Sequence, residues 1–136
     1  MKIVVDTNIL IDFSRKRRVG KEEILWPRLV GFTKREGHQL IIPAIALFEL
    51  FAGEEMEIPL NQEKVENILT DVIVLDLTQD VAKEGARLFR KYQANIGPID
   101  YLLAATTHVF GGELATLNPK HFKPFKDLHL FDLSKL

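Results

Sequence analysis

The 136 residues contain no cysteine and a single tryptophan. Without thiols, disulfides and thiolate metal sites are excluded, which fits a reducing cytoplasm. No stretch approaches the roughly 20 apolar residues that cross a bilayer, so no membrane role is expected. The start is not patterned as a signal peptide, because Asp6 and Asp12 interrupt it. There is no phosphate-binding G-x-x-x-x-G-K loop, no G-x-G-x-x-G turn and no serine in a nucleophile-elbow pattern. The four histidines, His38, His108, His121 and His129, form no pair at zinc-ligand spacing. Neither sign of charge dominates, since 18 Lys and Arg face 19 Asp and Glu for a net charge of −1. Nothing in the total marks a polyanion binder.

What is present suits one domain over residues 1–136. At 46% hydrophobic and 27% charged, the chain can bury a core and keep a polar surface. Its charge is unevenly placed. Arg15, Lys16, Arg17, Arg18 and Lys21 crowd one segment, and Glu49, Glu54, Glu55 and Glu57 crowd another. A near-neutral total can therefore hide a basic rim around an acidic pocket.

Short apolar runs alternate with helical patterns. Strands are expected at Ile3 to Val5, Leu40 to Ile42, Val72 to Leu75 and Leu114 to Thr116, with a last one possible at Leu128 to Leu130. Helices are expected from Asn8 to about Arg18, Glu22 to Arg35, Pro43 to about Ala52, Asn61 to about Thr70, Thr78 to about Tyr92, and Pro98 to about Val109. This alternation predicts an α/β fold, a central parallel sheet of four to five strands with helices on both faces. Ligands of such sheets collect at the carboxyl ends of the strands, which is where Asp6 falls.

Four residues stand out as carriers of chemistry, and each has a structural reading beside the functional one. Asp6, in DTN, can cap the helix that follows. Glu49 lies in the apolar stretch PAIALFELFAG, so it needs a partner, a cation or an edge position. Asp100 sits in the first turn after Pro98, where a helix dipole favours an acid. Asn118 precedes a proline, as turn-forming asparagines do. Taken together the picture changes. A doubly wound sheet can gather all four at one edge, and carboxylates gathered in a partly dry site either protonate or share a divalent cation. All-oxygen ligands favour Mg²⁺ or Mn²⁺, which act on phosphate substrates. The cations Arg15, Lys16, Arg17 and Arg18 could then hold a nucleic-acid backbone beside the site.

At these residues the sequence resembles the PIN-domain superfamily, and within it the VapC-type ribonuclease toxins of bacteria and archaea. The likeness is carried by VVDTNILID at Val4 to Asp12, IALFELFAG at Ile45 to Gly53, PIDYLLAATTHVFGGELATLN at Pro98 to Asn118, and NPKHF at Asn118 to Phe122. These occur in family order. The resemblance implies a cytoplasmic, Mg²⁺- or Mn²⁺-dependent endoribonuclease in which Asp6, Glu49 and Asp100 are the acidic ligands. It places Asn118 at a fourth position that is often Asp in the family, and Thr7, Asn8 and Thr116 along the site. It also implies a homodimer silenced by an antitoxin protein.

Two other readings use the same residues. One is a non-catalytic PIN-like module that binds RNA or a protein. The other is a phosphoacceptor receiver with Asp76 closing a central strand, although the lack of a second acid beside Asp6 argues against it.

Overall fold

The computed structural model describes residues 1–15 and 25–136. Ile3, Val4 and Val5 are fully buried. Successive strand residues face opposite sides, so β1 (Lys2–Val5) is covered on both. β2 (Gln39–Pro43) and β4 (Glu113–Ala115) flank it, and β3 (Ile73–Leu75) lies outside β2. The order is β3-β2-β1-β4 and every pairing is parallel.

This order fixes where a site can form. The chain steps in one direction from β1 to β2 to β3, then returns to the other flank of β1. Right-handed crossovers then place the helices before β3 on one face and those after it on the other. α1 (Thr7–Arg15), α2 (Leu25–Glu36), α3 (Ala44–Phe51) and α4 (Pro59–Leu69) form the first group. α5 (Gln79–Tyr92) and α6 (Pro98–Phe110) form the second, and α6 packs on β1 and β4. The direction of travel reverses between β1 and β4, so the strand ends there open a crevice.

Most elements follow from local chemistry. Thr78 caps α5 by accepting a hydrogen bond from the Val81 N–H at 3.2 Å. Pro98 opens α6 and Gly111 closes it at φ +69°. The fully buried Ala104 and Ala105 let α6 lie close to the sheet. Gly112 is required by proximity, since a Cβ there would sit 2.5 Å from the Lys2 carbonyl oxygen.

Three expectations need correction. The run Leu128 to Leu130 is no strand, because only a Leu114–Leu130 bridge forms. α4 begins at Pro59 rather than Asn61. Proline suits a first helical turn, and the Asn61 amide instead donates to the Glu55 carbonyl at 2.8 Å. That carbonyl belongs to a short 3₁₀ turn, Glu54–Glu57, which apolar periodicity did not reveal. β3 is also less buried than its apolar sequence suggested, with Ile73 41% exposed, because it is the sheet edge. The portion of the second helix expected from Glu22 lies outside the described residues.

Candidate active site

Asp6 directly follows β1, and its N–H extends the β1–β4 ladder by donating to the Ala115 carbonyl at 2.9 Å. The ladder holds its backbone while the side chain points into the crevice at 5% exposure. Thr116, one residue beyond β4, donates its hydroxyl to Asp6 Oδ2 at 2.7 Å. The same Thr116 oxygen accepts from Asn8 Nδ2 at 3.2 Å and from the Asn118 N–H at 3.0 Å. Asn8 Oδ1 in turn accepts from the Leu117 N–H at 3.1 Å. The first turn of α1 is thereby sewn to the end of β4, and Thr116 is the knot.

A second link runs from α1 to α3. The Thr7 hydroxyl donates to Glu49 Oε1 at 2.8 Å. Glu49 is half-buried rather than enclosed, and its neighbour Phe48 is 68% exposed, so α3 lies at the rim. Of the alternatives its apolar surroundings left open, Glu49 takes an edge position with a hydrogen-bonded partner.

Asp100, in the first turn of α6, is half-buried and close enough to Asp6 to repel it. Burial is the main reason that the Asp6 carboxyl is pushed up from 3.8 to about 6. The Thr116 hydroxyl and the Thr7 and Asn8 N–H groups hold it down, while Asp100 raises it further. Asp100 is also raised, first by burial, with His121 opposing. His121 Nδ1 stands 3.6 Å from Asp100 Oδ2. His121 lies in the NPKHF stretch but was given no role from the sequence; a 3₁₀ turn, Pro119–Phe122, brings it back to the site.

Asp6, Asn8, Thr116 and Asn118 are thus tied together with Asp100 beside Asp6, while Glu49 is joined only through Thr7, so the residues form linked pairs rather than a closed cage. Among the described residues no three His, Asp or Glu side chains stand close enough to enclose an ion as placed. The donor set nevertheless fits a hard cation. It is all oxygen at its centre, it holds a buried carboxylate that resists ionisation beside a second acid, and Mg²⁺ needs only one or two protein carboxylates while keeping several waters. Asn118 is half-buried beside this pair, tied by its N–H to Thr116.

Two further expectations concern Asp76 and the Arg15–Arg18 cluster. Asp76 is exposed after the edge strand β3, separated from β1 by β2, so it closes no central strand and the receiver reading fails. Arg15 ends α1, while Lys16, Arg17 and Arg18 lie outside the described residues.

A parallel sheet carrying acids and hydroxyls at its switch point defines an open α/β domain with a ligand site at its strand ends, and comparison with known proteins sharpens this. The PIN domain pattern matches residues 3–127, and the chain belongs to the PIN domain family. It is 32% identical over 129 residues to Ribonuclease VapC19 of Mycobacterium tuberculosis, spanning 92% of this chain and 95% of that protein. Among solved structures it superposes on a chain of VapBC2 from Rickettsia felis bound to a promoter DNA fragment. That match has a TM-score of 0.76 and 21% identity over 96% of this chain and 98% of the other. A chain from a Klebsiella pneumoniae toxin–antitoxin complex aligns with TM-score 0.64 and 24% identity, covering 89% and 90%.

Proposed function

We propose that the protein is a metal-dependent endoribonuclease that hydrolyses RNA phosphodiesters, and that it is the toxin of a VapC-type pair. The observation that carries this reading is the Asp6–Asp100 pair: a buried carboxyl displaced to about 6 with a second raised acid beside it, at the switch point of the sheet. Such an arrangement costs stability and is characteristic of a site with a task. The relation to Ribonuclease VapC19 over nearly the whole chain supports the reaction class.

Asp6, Asp100 and Glu49 would hold Mg²⁺ or Mn²⁺. The ion would supply charge to offset the carboxylates and the phosphate, a more acidic water, and stabilisation of the leaving oxygen. The rest falls to the protein. Thr116 fixes the Asp6 carboxylate and Thr7 fixes Glu49. Asp100 is less buried than Asp6 and is the carboxylate open to an attacking water. Asn118 positions a water or a substrate oxygen. A homodimeric state and an antitoxin partner belong to the same reading. No helix among the described residues is long and apolar enough to cross a membrane.

The test is cleavage of single-stranded RNA by the purified protein with Mg²⁺, Mn²⁺ or chelator. Cleavage should require the metal and disappear in Asp100→Asn. Cleavage in chelator, or an undiminished variant, would overturn the proposal. RNA binding without cleavage in any metal would instead favour a binding module.

A further inference from the structure

Beyond β4 the chain reads NPKHFKPFKDLH, from Asn118 to His129. Its backbone is a series of tight turns. The His121 N–H donates to the Asn118 carbonyl, Phe125 to Phe122, and Leu128 to Phe125. Residues three apart therefore share a face. Phe122, Phe125 and Leu128 point inward and are buried. Phe125 packs edge-on against Tyr92 and Tyr101, with ring centroids 5.3 and 5.4 Å away. Lys120, Lys123 and Lys126 share a second face, and His121 and Asp127 a third, and all of them are exposed.

Among the described residues, none of the three lysines makes an ion pair. The nearby Asp127 lies 4.0 Å from Lys91. At one end of the strip His121 touches Asp100. A rigid aromatic anchor thus displays a line of unpaired cations that begins at the acidic crevice. An acidic site repels a polyanionic substrate, and fixed cations at its edge offset that repulsion.

We propose that this strip, through Lys120 and Lys123 and continuing to Lys126, is the track that carries the RNA backbone to the site. The inference rests on the nuclease reading, and it assigns substrate binding to residues other than the Arg15–Arg18 cluster. Its contacts are with phosphates, so they are independent of base sequence.

The test measures binding of a fluorescent single-stranded RNA against salt concentration, with Ca²⁺ present to slow turnover. The double variant Lys120→Ala/Lys123→Ala is compared with wild type. Lys34→Ala, on the far end of α2, is the control cation. Each lost contact should lower the salt slope by about 0.7. The double variant should lose about 1.4 from the slope and roughly 20-fold in affinity at 0.1 M salt. Lys120→Arg/Lys123→Arg should restore both, and Lys34→Ala should change neither. Mn²⁺ affinity should stay at the wild-type level, because no metal-site residue is altered.

A wild-type slope in the double variant overturns the strip alone if wild type still cleaves RNA. If wild type neither binds nor cleaves RNA, the nuclease reading and the strip fail together. An equal loss in Lys34→Ala would mean diffuse attraction rather than a track.

Discussion

Replacing Asp6 by Asn should make the metal-free protein more stable while destroying its activity. The folded state holds this carboxyl at about 6 against an ordinary 3.8, chiefly through burial. The sign follows from proton counting. Between about pH 4 and pH 6 the folded chain keeps a proton that the unfolded chain has released, so stability falls as pH rises through that window. Above it the full cost is present. The displacement, at about 1.4 kcal/mol per pH unit, corresponds to about 3 kcal/mol at neutral pH as an upper limit. Asn carries no charge to desolvate, and its carbonyl can still accept from Thr116 and from the α1 N–H groups.

In chelator at pH 7, Asp6→Asn should therefore gain about 1–3 kcal/mol by urea denaturation. A gain of that size raises the melting temperature by several degrees in a domain of this size. The gain should shrink as pH falls toward 4. Millimolar Mn²⁺ should reverse the order, stabilising wild type and leaving the variant unchanged. A variant that is less stable than wild type at pH 7 in chelator would refute the reasoning. It would make Asp6 a helix cap whose carboxylate contributes net stability.

Two further outcomes follow from the same geometry. Thr116→Val removes a hydroxyl that makes three hydrogen bonds and should cost about 1–3 kcal/mol in chemical denaturation. It should also raise the Asp6 titration further, visible by carboxyl NMR, because the hydroxyl stabilises the charged form. Gly112→Ala would drive a Cβ to 2.5 Å from the Lys2 carbonyl oxygen, so β1 or the α6–β4 turn must shift. A loss of about 1–3 kcal/mol in thermal unfolding is expected, with RNA cleavage reduced less than by Asp100→Asn.

How much of this was legible in the sequence depended on the kind of signal. β1 could be read because a strand covered on both faces is a short apolar run, and Asp6 because a carboxylate ending such a run is conspicuous. α5 and α6 carried their boundaries in Thr78, Pro98 and Gly111. β3 looked the same as a buried strand, because edge and centre differ in neighbours rather than in residues. The start of α4 was misplaced because Asn61 resembles a cap, whereas its amide is used by a 3₁₀ turn that carries no periodic pattern. Asp6, Glu49, Asp100 and Asn118 were expected as a group, but which of them pair depends on strand order, which the sequence does not display. His121 was read only as an ordinary loop histidine near the site, because its approach to Asp100 is made by a turn and a loop histidine has no ligand spacing to mark it.

A divalent ion shared by Asp6 and Asp100 is the centre of the proposed nuclease site. Anomalous diffraction from crystals grown with Mn²⁺ tests this most directly. The predicted result is a manganese peak bonded to oxygens of both Asp6 and Asp100, at about 2.0–2.3 Å, with waters completing the shell. A crevice without manganese at saturating concentration, or an ion bound by other residues, would contradict it.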